Sequence, residues 1–185
     1  MLTSAEQTYC LKLARHVLCD AVGPSKVRPV ESYLTPEPPL GRLAERLPCF
    51  VSLHSRGAHR LRGCIGCLTS EESLLVNIYR LTQAAAFQDP RFRPVTEQEI
   101  GDLSLEISVL GPQLPLPSLD LVEIGRHGLQ VRSRGQHGLL LAQVAAEFKW
   151  TREEFAQQTC LKAGLAPEYH AAYEWFYFEQ ISFSE

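Results

Sequence analysis

The stretch Leu61-Arg62-Gly63-Cys64-Ile65-Gly66 sets a single thiol between two glycines, with a guanidinium two positions before it. Its surroundings read as a hairpin. Cys49-Phe50-Val51-Ser52-Leu53-His54 has the β-branched and aromatic content of a strand, Ser55 to His59 forms a turn around Gly57, and Arg60 to Leu68 is the returning strand. Alternate side chains of a strand point to opposite faces, so Leu61, Gly63 and Ile65 should share one face and Arg62, Cys64 and Gly66 the other. With the apolar face turned inward, thiol and guanidinium emerge together. A nearby cation favours thiolate, the reactive form of cysteine, so this geometry predicts a depressed thiol pKa. Glycines beside the thiol let a ligand approach the main chain. The plainer reading is that both glycines serve a bend or bulge and Cys64 is a small buried residue. The residues alone leave both readings open.

Working outward, Ser4-Ala5-Glu6-Gln7 supplies a capping hydroxyl followed by Gln, and Tyr9, Leu13, Val17 and Ala21 recur every fourth position beside Cys10, Ala14, Leu18 and Val22. This predicts an amphipathic helix. From Gly23 to Gly41 five prolines, from Pro24 to Pro39, predict an irregular surface arm. Thr69-Ser70-Glu71-Glu72 is a second capping signal, ahead of a helix buried through Leu74, Leu75, Ile78, Tyr79, Ala85 and Ala86 and halted at Asp89-Pro90. Leu103, Leu105, Ile107 and Val109 alternate with Ser104, Glu106 and Ser108 as a strand with one wet face.

Gly111 to Ser118 holds three prolines and is the candidate seam between two lobes of a single domain covering residues 1–185. Beyond it, Leu129 and Val131 against Leu139 and Leu141 suggest a second hairpin around Gly135, then a helix through Val144 and Phe148. Thr151-Arg152-Glu153-Glu154 caps a further helix ending at Gly164. The aromatic run Tyr173 to Phe183 reads as a strand covered on both faces.

A chain of 185 residues with 45% hydrophobic content can bury one real core, as one domain or two small lobes. The net charge of −3 provides no general attraction to phosphate backbones, so no general nucleic-acid affinity is expected. No apolar run reaches the ~20 residues that span a bilayer and the first residues lack signal-peptide character, so no membrane association and a cytoplasmic location are expected. Six scattered cysteines in that setting read as reduced thiols, without a structural disulfide. Cys64-Ile65-Gly66-Cys67 spells a C-x-x-C, but strand alternation points the two thiols apart and no second pair completes a metal site. No metal or cofactor is assigned. Gly-x-Gly-x-x-Gly, Gly-Lys-Ser/Thr, Gly-x-Ser-x-Gly and His-Glu-x-x-His motifs are all missing, which disfavours nucleotide hydrolysis, serine hydrolysis and zinc proteolysis.

The hexapeptide resembles the signature of the AMMECR domain family, which supplies protein A of the AmmeMemoRadiSam system. The likeness continues through Ala84-Ala85-Ala86-Phe87-Gln88-Asp89-Pro90-Arg91-Phe92, Ile124-Gly125-Arg126-His127-Gly128-Leu129, Leu139 to Ala145, and Lys162-Ala163-Gly164-Leu165. One departure is Ala142, where the family pattern usually has proline; another is Cys67, where it commonly has other small residues. The resemblance implies an α+β fold of two lobes, a larger mostly antiparallel sheet with flanking helices and a smaller α/β part, with the signature facing the intervening cleft. It implies no defined reaction. Its genetic association implies Memo-like and radical S-adenosylmethionine proteins as partners.

Candidate site residues follow from both sources. Asp89 and Arg91 could simply close a turn as an ion pair, or Arg91 could meet a carboxylate or phosphate. His127, between glycines on a turn, is a candidate proton carrier or a solvated histidine. His16, His54, His59, His137 and His170 carry less weight. Lys162 matches the family pattern, although the helix dipole alone favours a cation near that terminus. Two functions of different class result. In one, Cys64 is a nucleophile or covalent acceptor, His127 moves a proton, and Arg62, Gly63, Gly66, Asp89, Arg91 and Lys162 hold an anionic small molecule or modified nucleotide. In the other, the same cleft is a non-catalytic binding or scaffold surface for a ligand or for the Memo-like and radical-enzyme partners.

Overall fold

In a computed structural model the described residues are 2–23, 28–34, 41–58, 60–169 and 172–185. Most of the expected proline-rich arm, and the histidines His59 and His170, lie outside them. The chain divides into two compact units, Met1–Val109 with Ile181–Glu185, and Leu110–Gln180.

The first unit opens with helix α1 (Ser4–Val22). Its cap is Thr3 and not Ser4: the Thr3 hydroxyl accepts from the Glu6 amide, while the Glu6 carboxylate accepts from the Thr3 amide. Two adjacent hydroxyls compete here, and Glu6 selects the one three residues before it. Cys10, Leu13, Ala14, Val17 and Leu18 are buried along the expected stripe. Strands β1 (Cys49–Ser55) and β2 (Leu61–Gly66) form the antiparallel hairpin, and β1 also pairs antiparallel with β3 (Leu103–Leu110). Helix α2 (Leu74–Phe87) packs on α1, β1 and β2. Ser73 caps it, and not the expected Thr69-Ser70 pair; Ser70 turns its hydroxyl to Asn77 and to the Glu72 amide. On β3 the inward row is as expected, but Ser108 is also buried, satisfied by a 2.8 Å hydrogen bond to Ser182.

The second unit is built around β7 (Glu174–Ser184) as far as Gln180, which pairs antiparallel with β5 (His127–Ser133) and with a two-residue strand β4 (Leu114–Pro115). β5 in turn pairs with β6 (Gln136–Leu140), through a turn in which Arg134 and Gly135 both have positive φ. The aromatic run is a strand, but burial on both faces holds only in part: Trp175 and Phe178 are buried, whereas Glu174 and Glu179 are exposed. Helix α3 spans Ala142–Glu147, and helix α4 (Arg152–Ala163) packs on β6 and β5. α4 begins at a Thr151–Glu154 capping box and ends at Gly164, which adopts the left-handed conformation (φ 73°) expected of a C-terminal glycine.

Each unit has its own apolar cluster, one gathered on α1, α2 and β1 to β3, the other on β5, α4 and Trp175. Helices stand beside a mostly antiparallel sheet, so the fold is α+β. Among the described residues no helix is long and apolar enough to cross a membrane.

Candidate functional site

The β1–β2 register sets the geometry of the signature. Phe50 faces Gly66, Val51 faces Ile65, Ser52 faces Cys64 and Leu53 faces Gly63, after which the pairing slips and His54 faces Leu61. One extra residue, Arg62, is thereby inserted into β2. A single inserted residue reverses the facing of everything beyond it. Gly63 and Ile65 share the inner face as expected, but Leu61 joins His54 instead and is 37% exposed. A Cβ on Gly63 would lie 2.1 Å from the Ala85 carbonyl oxygen, so this glycine lets β2 run directly against α2. The space beside Gly66 holds the Phe50 ring.

Cys64 is half-buried and its peptide is gripped at both ends. Its amide donates to Asp89 Oδ2 at 2.8 Å, and its carbonyl accepts from Arg91 Nη2 at 3.3 Å. Asp89, just past α2, is 5% exposed and also accepts from the Arg91 amide (3.1 Å), Nε (2.9 Å) and Nη2 (2.7 Å). These bonds, the Arg91 guanidinium foremost, hold the Asp89 carboxyl far below the usual carboxylate range. Arg91 is raised, first by Asp89 and further by Cys64, whose sulfur lies within reach of the guanidinium; its side chain is nevertheless 57% exposed.

Arg62, the cation expected beside the thiol, goes elsewhere. Its Nε donates to Glu99 Oε1 at 2.8 Å and its Nη1 to the Arg93 carbonyl at 2.8 Å, and its side chain is only 19% exposed. The bulge aims it at residues 93–99. Glu99 is drawn down to about 2, chiefly by the Arg62 guanidinium. Arg91 therefore stands where Arg62 was expected. Neither this exchange nor the Glu99 counter-ion is visible without the strand register.

His127 and Lys162 belong to the second unit. His127 is the first residue of β5 and 6% exposed, so it is neither on a turn nor solvated. The turn belongs to Gly125, at φ 84°, which returns the chain into the strand. The His127 Nδ1 accepts from the Glu123 amide at 3.0 Å and the ring stands edge-on to Tyr177 at 5.1 Å. Lys162 is exposed in the last turn of α4. The Ala142 amide donates to Gln180 Oε1 at 3.2 Å, a bond proline could not make.

An α+β fold with a glycine-flanked thiol clasped by an Asp-Pro-Arg corner defines the class. The AMMECR1 family model matches residues 11–183, and the chain belongs to that family. A Methanocaldococcus jannaschii protein is 36% identical, the alignment covering 91% of this chain and 83% of that one. A Methanopyrus kandleri protein is 35% identical over 91% of this chain and 82% of its own. The crystal structure of an uncharacterized Pyrococcus horikoshii protein superimposes with a TM-score of 0.85 at 30% identity, covering all of this chain and 93% of the other.

Proposed function

We propose that the protein is a ligand-binding module whose contact point is the Cys64 thiol with the Arg91 guanidinium beside it, and whose ligand is a small anionic or nucleotide-like molecule. The supporting observation is the clasp. Asp89 fixes both the Cys64 peptide and the Arg91 side chain, so thiol and cation are prepositioned while the Arg91 side chain keeps more than half its surface in solvent. Arg62 supports the site indirectly, by holding the bulge to residues 93–99. Memo-like and radical S-adenosylmethionine partners, in the cytoplasm, suit this reading, since a binding module needs others to carry chemistry. Native mass spectrometry of the protein purified gently from its own host tests it. A retained small-molecule mass that disappears in Cys64→Ser supports the reading; a bare polypeptide in both forms, with neither partner recovered, opposes it.

A second reading makes Cys64 a nucleophile in turnover, with His127 moving the proton. Its support is the proximity of the Cys64 sulfur to the Arg91 guanidinium. Against it, His127 is buried with Nδ1 already engaged by Glu123. Alkylation of Cys64 across pH separates the two, because a profile indistinguishable from that of an ordinary thiol, with full cellular function of Cys64→Ser, removes the catalytic reading.

A further inference from the structure

The first unit holds a pair of thiols that the signature does not use. Cys49 opens β1 and Cys67 follows β2; since Phe50 faces Gly66, these two are the next opposed positions of the hairpin. The Cys67 amide donates to the Cys49 carbonyl at 3.0 Å, and the Cys67 Sγ lies 3.9 Å from the same oxygen. Each thiol lies within electrostatic reach of the other. Directly opposed residues of an antiparallel pair have Cα atoms about 4.5–5.5 Å apart, inside the ~4.4–6.8 Å that a disulfide spans.

The two sulfurs differ in access. Cys49 is fully buried in the apolar cluster, near Cys10. Cys67 is half-buried and lines a hollow of about 670 Å³ together with Ser70, Asn77, Arg80 and Gln83. The charged groups there are Arg80, ion-paired with Glu72, and Glu71, paired with Arg46.

We propose that Cys67 is an oxidation site for small hydroperoxides and that Cys49 is its resolving thiol. The Cys67 thiolate attacks the terminal oxygen of the peroxide; the O–O bond breaks, a sulfenic acid forms, and the alkoxide or hydroxide leaves and takes a proton from water. The Cys49 sulfur then attacks the sulfenic sulfur, the S–O bond breaks, and the departing hydroxide takes the Cys49 proton, giving water and a disulfide. The two sulfurs supply the two electrons that reduce the peroxide. The Cys49 side chain and carbonyl beside it, aided by the charge of Arg80, bring the Cys67 thiol down to about 6 against the opposing effect of burial, while Cys49 is pushed well above its ordinary value. The directions of the two shifts suit these roles, Cys67 as the attacking group and Cys49 as the thiol that keeps its proton for the second step.

The test is a peptide map of the full chain after brief hydrogen peroxide treatment and blocking with N-ethylmaleimide, with fragmentation to separate Cys64 from Cys67. A Cys49–Cys67 cross-link, reversed by dithiothreitol, is the expected main product. In Cys49→Ser, dimedone should label Cys67 in its place. Iodoacetamide at pH 7 should modify Cys67 of the native protein about ten-fold faster than in the urea-unfolded chain. If Cys67 stays unmodified while Cys19 or Cys64 is oxidised, or if the cross-link joins Cys64 to Cys67, the proposal fails. The map of the unmutated protein decides this whether or not the variant folds.

Discussion

The Asp89 carboxylate accepts the amide of Cys64, so a residue just past the end of α2 also fixes the peptide plane of the signature thiol, 25 positions away in sequence. Because Asp89 is buried and holds Arg91 at the same time, its negative charge is a structural element of the site.

Asp89→Asn should therefore destabilise the fold at neutral pH by about 2 kcal/mol, as one charge-assisted network is lost from a buried position. Asp89 titrates below its ordinary value of 3.8 in the folded chain, so its contribution is complete above that value and is lost as pH falls through and below it. Urea unfolding of both proteins checks this. The gap between them should narrow from pH 7 to pH 3, and an unchanged gap would refute the assignment.

Glu99 offers a direct reading of the Arg62 contact. Carboxyl-carbon NMR should find its midpoint near 2 in the native protein and displaced toward 4.5 in Arg62→Gln. A midpoint unmoved by the substitution would mean that the ion pair does not form in solution.

Gly63→Ala should cost about 2–3 kcal/mol, because the new methyl meets the backbone carbonyl of Ala85 and neither strand nor helix can yield without repacking. Gly101→Ala is the control, having no atom within 4 Å of its Cβ, and should be nearly neutral. Equal melting temperatures for the two variants would contradict the close approach of β2 to α2.

Ala142→Pro places proline at the first turn of α3, where its fixed φ suits a helix start. It removes the bond to Gln180 but restricts the unfolded chain, so the net loss should stay below about 1 kcal/mol. Made in a Gln180→Ala background, where that bond is already gone, the same substitution should stabilise by roughly 0.5 kcal/mol. Denaturation midpoints of the four proteins in this cycle give the answer.

What the sequence discloses tracks how local the determining chemistry is. α4 is legible at both ends because Thr151, Glu154 and Gly164 carry their own capping geometry. The starts of α1 and α2 are less so, since Thr3 competes with Ser4, and Ser73 with Thr69 and Ser70, and only contacts made elsewhere choose between them. The thiol's neighbourhood is harder still. The bulge at Arg62 exists only in the pairing of β2 with β1, and it decides that Arg91 and not Arg62 reaches Cys64. The Cys49–Cys67 pair was within reach of the sequence in one respect: two positions equally far from a hairpin turn face each other once the register is known. That register is what a bulge hides.

The first unit takes its final strand segment, Ile181–Glu185, from chain that follows the whole of the second. The Glu185 amide donates to the Leu105 carbonyl, its carboxylate accepts from the Leu105 amide and meets Arg15 on α1, so this segment is not an ornament. On the ribosome, then, residues 1–109 emerge with β3 presenting a bare edge of amides and carbonyls, and they must stay soluble through the synthesis of residues 110–180 before the covering strand arrives. Slow elongation across that interval is when a nascent chain of this design is most exposed to pairing with the wrong neighbour.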